Sequence, residues 1–248
     1  GFAIDSLVWA ATVFGEAEWL AAAERTAEAL WRIHWVDSRL WRTSLAGEVG
    51  TVPGMAEDYG ALALGFARLG GALGNAAWLR RAEALLEVAL VEFAAADGGF
   101  FDAGTDAEPL FARARDVQDN PTPSGTMALV SALRLVGLLA DRPEFSARAD
   151  AAAATTLGLV AAAPRFAGSA LTDLVIADDA RTGLSPAVAV VVGDGDPLGE
   201  LARATWRMAP VGTAVVVGGE GTSGFAHHFQ DRRGGEVATA YVCRGTTC

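Results

Sequence analysis

The chain has 248 residues, of which 52% are hydrophobic and 20% are charged, and its formal net charge is −11 at pH 7. This composition is typical of a folded globular protein and argues against extended disorder. Because phosphate groups are bound by clustered Lys and Arg, which the chain lacks, nucleic acid and anionic membranes are not expected partners. No apolar run reaches the ~20 residues of a membrane-spanning helix.

The two ends of the chain indicate its context. The chain begins at Gly1 with no initiator Met and no signal-peptide pattern, so we expect a fragment of a longer protein. Its only cysteines, Cys243 and Cys248, lie at the C-terminal end. Two such cysteines form no disulfide framework and fit a reducing compartment. We therefore expect a soluble, cytoplasmic protein.

Three similar helical segments follow one another along the chain, starting at Val13, Ala72 and Leu138. Each has a turn and a polar cap before an aromatic residue, and an alanine-rich amphipathic helix after it. The unit recurs at intervals of about sixty residues, which is the pattern of a repeat architecture. These segments therefore predict half-exposed helices.

The helix before each of the last two segments has a different character. The only charge between residues 59 and 73 is Arg68, and the only charge between residues 123 and 140 is Arg134. Such helices are covered nearly all round. Alternating buried and half-exposed helices predict a mainly α fold, a partial (α/α)6 toroid of αα-hairpins with an inner and an outer ring. Further hairpins are expected upstream of the chain.

Two connections, residues 36–56 and 97–122, exceed the usual ~12–15 residues of a structureless loop. Both carry strand-like pieces, RLWRT from Arg39, and FFDA from Phe100 facing LFARAR from Leu110. We interpret them as β-hairpins over one mouth of the toroid, which makes that mouth the functional face.

The pattern changes after Pro164, and we predict domains at 1–164 and 165–248. Apolar β-branched runs occupy residues 187–192 and 211–218, with a helical segment between them. A third strand candidate, TAYVC, begins at Thr239. The second domain is therefore predicted to be a small α/β subdomain with a parallel pair of strands.

Candidate chemistry begins at Glu57, Asp58 and Tyr59, where an inner helix starts. One interpretation is structural, with a carboxylate capping the helix and the tyrosine packing. The other is functional, with Asp58 or Glu57 as a general acid, base or hydroxyl acceptor in the mouth.

The second long loop supplies further candidates. Strand alternation would place Arg113 and Arg115 on the same side, either as solvated edge charges or as ligands for a carboxylate, phosphate or sugar hydroxyl. Asp119, Asn120 and Ser124 would join them. The helix after this loop is expected to be capped by Thr122, with its first helical position at Pro123.

Three other features were weighed. Trp41 lies on a loop and either packs in the core or stacks on a sugar ring. The pattern Gly219-x-Gly221-x-x-Gly224 lacks the helix of a dinucleotide-binding loop. His227 and His228 with the two cysteines match no standard zinc pattern, so neither a cofactor nor a metal is expected.

Four blocks together resemble the C-terminal part of the spermatogenesis-associated protein 20-like, thioredoxin-domain-containing proteins. They are EDYGALALGFARL (57–69), GGFFDAGTDAEPLFARARDVQDNPTPSGTMAL (98–129), VVVGDGDP (190–197) and AYVCRGTTC (240–248). The resemblance covers nearly the whole chain. It implies an upstream thioredoxin-like domain, absent here, followed by an (α/α)6 toroid similar to six-hairpin glycosidases and N-acylglucosamine 2-epimerases.

The resemblance carries over, by motif, to Glu57, Asp58, Tyr59, Arg113, Asp119, Pro123, Ser124 and Gly125. The chain departs from the expected pattern at Thr126, where a small polar residue, often Asn, is expected. The resemblance implies that the toroid binds or transforms a carbohydrate-like metabolite, with Asp58 or Glu57 in acid–base catalysis and Arg113 orienting the substrate. The alternative is a non-catalytic scaffold that docks client proteins for the thioredoxin-like domain, and a third hypothesis is a nucleotide module in the α/β subdomain.

Overall fold

A computed structural model describes residues 1–108, 111–182, 188–219, 222, 224–234 and 237–244, with only the backbone of residues 179–181. The helices are α1 Phe2–Phe14, α2 Ala17–His34, α3 Ala56–Leu73, α4 Ala76–Glu92, α5 Gly125–Leu139, α6 Pro143–Ala154, α7 Leu157–Ala162, α8 Gly168–Thr182, α9 Glu200–Met208 and α10 Ala226–Phe229. The strands are β1 Trp35–Val36, β2 Arg39–Leu40, β3 Ser44–Leu45, β4 Glu48–Val49, β5 Val188–Val192, β6 Ala214–Gly218 and β7 Thr239–Cys243. The prediction of a mainly α fold is confirmed.

Three pairs of consecutive helices form the body of the molecule. α1, α3 and α5 each pack against the helix that follows, and α3 also packs against both α1 and α5. The short turns within the pairs include Gly15 and Gly74, whose φ angles of 82° and 59° need the left-handed conformation that glycine adopts without strain. Closure of these pairs into a toroid stays a prediction.

The helices predicted to be covered all round are buried as their sequences indicate. In α3, 14 of 18 residues are buried, and in α5, 12 of 15. Their charges are compensated, since Arg68 Nε donates to Asp5 at 2.8 Å and Arg134 Nη2 donates to Asp173 at 2.9 Å. Small residues bring the backbones of α3 and α5 together. A Cβ added at Gly60 would lie 2.5 Å from the backbone of Ala128.

The C-terminal part contains a three-stranded sheet in the order β6-β5-β7. β5 and β6 are parallel and joined through α9, while β7 is antiparallel to β5, so the predicted parallel pair is confirmed. Ala187, predicted to begin the first strand, lies outside the described residues. The second strand begins at Ala214, later than predicted, because a turn precedes it in which Thr213 N donates to Pro210 O at 3.1 Å.

The sheet lies directly against the helices. Added Cβ atoms at Gly71 and Gly74 of α3 would lie 2.4 Å from the carbonyl oxygens of Val215 and Val217, so the helix covers the edge of β6. Trp206 of α9 packs edge-on against Trp9 of α1, with ring centroids 4.9 Å apart. The domain boundary at residue 164 stays a prediction, although both segments contribute to one hydrophobic core.

The two long loops differ from each other. Residues 35–49 form two small antiparallel hairpins, β1 with β2 and β3 with β4. The hairpin predicted between FFDA and LFARAR is not formed by the described residues, and Leu110 lies outside them. Phe100 bridges to Ala94 instead, because its side chain is buried in the core. The two segments are linked by the bond from Asp102 N to Ala114 O and by the Arg113 side chain, whose Nε donates to Ala103 O at 3.2 Å.

Helices α7, α8 and α10 were not predicted from the sequence. α8 packs against α5, α6 and α7, and its Asp173 is 4% exposed beside Arg134. Among the described residues, none of the helices combines the length and the hydropathy needed to cross a membrane.

The close approach of α3 and α5 at Gly60 can be tested by adding one methyl group. Gly60→Ala forces the added carbon against the backbone of α5, and we expect it to lower the free energy of unfolding by about 1–3 kcal/mol. The matched control is Gly158→Ala in α7, where an added Cβ meets nothing within 4 Å. This control should leave stability unchanged or raise it by up to ~1 kcal/mol. Equal effects in urea unfolding would contradict the packing described.

Candidate functional site

A cavity of ≈ 190 Å³ lies where α3 and α5 begin, and we name it the rim cavity. Both helix starts and the loop of residues 97–122 contribute to its walls. It is lined by Met55, Glu57, Asp102, Asp116, Gln118, Asn120, Thr122, Pro123, Ser124 and Gly125. The start of α3, the start of α5 and the end of the second long loop therefore meet at one cavity.

Asp102 connects the loop to both helices. Its carbonyl accepts from Ala56 N at 2.9 Å, which satisfies a free N–H at the start of α3. Its carboxylate Oδ2 accepts from Asp116 N at 2.8 Å. An added Cβ at Gly125 would lie 3.3 Å from Glu57 N and 3.5 Å from Asp102 Oδ1. The lack of a side chain at this position lets the two helix starts and the carboxyl group meet.

The electrostatics distinguish the carboxyl groups of the cavity. Burial raises the pKa of Asp102, the hydrogen bond from Asp116 N lowers it, and the nearby carboxylates of Asp116 and Glu57 raise it, with a raised pKa as the net result. Glu57 instead forms an ion pair with Arg42 at 2.5 Å. The cavity thus combines a carboxyl group whose pKa is raised with a carboxylate that has a cationic partner. Pairs of carboxyl groups in such unequal environments divide the roles of acid and base.

Asp58 lies beside the cavity but does not line it. Its Oδ2 accepts from Met55 N at 2.8 Å and completes a capping box at the start of α3. Burial raises the pKa of this carboxyl group. The contacts of Asp58 therefore fit the structural interpretation, in which a carboxylate caps the helix. Glu57 lines the cavity, where a ligand can reach it.

Tyr59 and Trp41 also lie outside the cavity lining. Tyr59 is 1% exposed, its hydroxyl accepts from Leu40 N at 2.9 Å, and its ring packs against Phe93. Trp41 is half-buried and bridges to Pro53 through its backbone. Both residues anchor the first long loop to the helices.

The two candidate arginines hold the second loop. Arg113 donates from Nη2 to Glu92 O at 2.7 Å and lies over the Phe101 ring. Arg115 donates to Asp97 at 2.6 Å. Because the segment forms no strand, the two guanidinium groups have separate partners rather than the shared side that alternation predicts. Neither lines the rim cavity.

Asp119 joins the second loop to α8. Its Oδ2 accepts from Ser169 N at 2.7 Å, and its Oδ1 accepts from Ser124 N at 3.1 Å. Asn120 and Ser124 do line the cavity. Ser124 is the N-cap of α5, accepting from Met127 N at 3.3 Å, so the expected cap at Thr122 lies two residues too early.

Sequence reasoning missed several residues of this site, among them Asp102, Gln118 and Arg42. Arg42 lies on the first loop and contacts both Glu57 and Asp58. Asp102 follows Phe100, which is 1% exposed. A buried aromatic residue within a long polar loop fixes the position of its neighbours, and this was the available signal.

His227 and His228 do not line the rim cavity. Gly221 of the glycine pattern lies outside the described residues. His228 is buried, and its Nε2 lies 3.1 Å from Leu139 O. Burial, and secondarily His227, lowers its pKa to about 4. In the part of the chain that the structure describes, no three His, Cys, Asp or Glu side chains are arranged to hold a metal ion.

Comparison with protein-family models and with curated proteins found no match to this chain.

The raised pKa of Asp102 predicts a pH-dependent cost to stability. Because the folded state binds this proton more tightly than the unfolded chain, ionisation of Asp102 destabilises the protein as pH rises through the folded pKa. Asp102→Asn removes that cost, so the variant should melt at a higher temperature than the wild type at pH 7. The advantage should vanish at a pH below the unfolded pKa of ~3.9. The assignment is contradicted if Asp102→Asn melts at a lower temperature than the wild type at pH 7 and this disadvantage is smaller at low pH.

The role of Asp119 can be tested separately. Asp119→Ala removes the acceptors for Ser124 and Ser169, and loss of hydrogen bonds to a charged group should cost about 1–3 kcal/mol of unfolding free energy. The second loop should also be cut faster in limited proteolysis. Glu108→Ala on the same loop, at an exposed position, is the control and should change neither measurement.

Proposed function

We propose that the rim cavity binds a neutral, monosaccharide-like metabolite and that Asp102 and Glu57 carry acid–base chemistry on it. The observation that carries this proposal is the pairing of a carboxyl group of raised pKa with an Arg-paired carboxylate in one cavity between two helix starts. The proposal includes a partial (α/α)6 toroid of the spermatogenesis-associated protein 20-like family, with the three helix pairs contributing to the ring.

The size of the cavity supports a small ligand. Sites for drug-sized molecules have volumes of roughly 300–1,000 Å³. The rim cavity, at ≈ 190 Å³, is smaller than this range. A single sugar ring therefore suits it better than an oligosaccharide or a nucleotide.

The charges of the cavity support a neutral ligand. Its lining contains the carboxyl groups of Glu57, Asp102 and Asp116 and no Lys or Arg, and Arg42 beside it already pairs with Glu57. An anionic ligand such as a sugar phosphate would meet repulsion from these groups. Hydroxyl groups, in contrast, donate well to carboxylates and to the amide oxygens of Gln118 and Asn120. A polyol matches this set of acceptors.

The acid–base assignment follows from the same contacts. Asp102, whose pKa is raised by burial, donates a proton to a sugar oxygen, and Glu57, which pairs with Arg42, accepts a proton from the other reacting group. Sugar epimerisation and glycoside hydrolysis both require such a pair of groups. Asp58 and Arg113 then support the site, as the cap of α3 and the anchor of the second loop.

Calorimetric titration with N-acetylglucosamine, mannose and glucose 6-phosphate tests the proposal. We expect at least one neutral sugar to bind and glucose 6-phosphate to bind more weakly. Asp102→Asn and Glu57→Gln should each weaken binding by about tenfold or more, the loss expected for a hydrogen bond to a charged group.

Glu48→Gln is the control, because Glu48 is an exposed carboxylate on β4, outside the cavity. It should bind sugar as the wild type does. The proposal fails if no neutral sugar binds, if the phosphate ester binds most tightly, or if the two cavity variants keep wild-type affinity.

A further inference from the structure

A second, larger cavity of ≈ 500 Å³ lies between α3, α5 and α8, and we name it the interhelix cavity. It shares no lining residue with the rim cavity. Arg68, in its wall, follows Glu57 by eleven residues on α3, which places it about 16 Å further along the helix axis. The two cavities are therefore separate sites.

The surface of the interhelix cavity is more apolar than polar, although nine of its sixteen lining residues are polar or charged. Its apolar side chains are Leu64, Leu135, Leu138, Ile176, Ala177 and Val211. A cavity of this volume lies within the range of roughly 300–1,000 Å³ that ligand sites occupy. The polar groups then decide the ligand.

Arg68 and Thr213 are two groups of this wall that have unused hydrogen-bonding capacity. Arg68 uses Nε for Asp5, and its two Nη atoms have no hydrogen-bond partner among the described residues. Thr213 is 2% exposed, and its Oγ1 is buried without a partner in the described structure. A buried hydroxyl that makes no hydrogen bond costs free energy, which a ligand atom can recover. Both groups can donate to an oxygen acceptor.

The charges around the cavity indicate whether the ligand's oxygen acceptor is a neutral group or a carboxylate. Two ion pairs lie at this cavity, Arg68 with Asp5 and Arg134 with Asp173, and their net charge is zero. Arg134 also pairs with Asp150, whose side chain is 65% exposed. A bound carboxylate would add an uncompensated charge to a mainly apolar cavity. A carbonyl oxygen accepts the same hydrogen bonds and leaves the balance unchanged.

We infer that the interhelix cavity is a second ligand site, for a neutral and mainly apolar molecule whose carbonyl oxygen accepts hydrogen bonds from Arg68 and Thr213. Amides, esters and ketones with an alkyl body belong to this class. The rim cavity selects many hydroxyl groups, whereas this site selects one carbonyl group and apolar surface. The site is thus independent of the sugar proposal.

Titration of the full chain with octanamide, and with octanoate as its charged counterpart, tests the inference. Octanamide should bind, and octanoate should bind more weakly. Thr213→Val keeps the side-chain shape and removes the hydroxyl, so it should weaken octanamide binding roughly three- to tenfold. Without ligand the same variant should melt at the wild-type temperature or above, because an unpaired buried hydroxyl is gone.

Ala177→Phe on α8 fills the cavity and should abolish octanamide binding. Val175→Phe is its matched control, since Val175 lies on the same helix, is 61% exposed and does not line the cavity. Asp102→Asn should leave octanamide binding unchanged. The inference is overturned if octanamide does not bind the wild type, if octanoate binds more tightly, or if Thr213→Val and folded Ala177→Phe keep wild-type affinity.

Discussion

The contact between α3 and α5 is the constraint on which both cavities depend. Gly60 opposite Ala128, and Gly125 opposite Ala56, bring the two helices to backbone contact at their N-terminal halves. Helices held this closely have little freedom to slide, because small residues leave no side chain to repack. The rim cavity forms where the two helices start, and the interhelix cavity forms farther along the same pair, where α8 covers them.

The internal charges are arranged differently at the two ends of this helix pair. Arg68 and Arg134 are matched by Asp5 and Asp173, so the middle of the pair is electrically neutral. At the helix starts the carboxyl groups outnumber the cations, and Asp102 is held in an environment that disfavours its ionised form. Such an imbalance costs stability, and sites of chemistry are where proteins commonly retain it.

Local signals in the sequence predicted much of the fold. Capping residues and aromatic anchors predicted α4 and α6, the single charges Arg68 and Arg134 indicated two buried helices, and β-branched runs predicted the parallel strands. These features depend on neighbours within a few residues. α8 was missed because its position depends on the pairing of Asp173 with Arg134, a contact between distant parts of the chain. The prediction of a second hairpin was wrong because Phe100 packs in the core, which is also a contact between distant parts of the chain.

The sequence indicated the segments that form the rim cavity, but it identified only some of the residues that line it. Glu57, Asn120 and Ser124 line the rim cavity, whereas Asp58, Tyr59, Arg113, Arg115 and Asp119 hold the surrounding segments. A polar side chain at a helix start can face a cavity or form a hydrogen bond with the backbone. The conformation of the preceding loop decides between the two, and the periodicity of hydrophobic residues does not indicate that conformation. Asp102 reaches the site through a hydrogen bond from Ala56, a contact that no sequence spacing indicates.

The most direct measurement is the carbon chemical shift of the side-chain carboxyl groups, recorded by NMR while N-acetylglucosamine is added. A neutral sugar in the rim cavity should shift the resonances of Asp102 and Glu57 with one common binding curve and leave that of Glu48 unchanged. If the sugar binds while the Asp102 and Glu57 resonances stay in place, the rim cavity is not where it binds, and the central claim is contradicted.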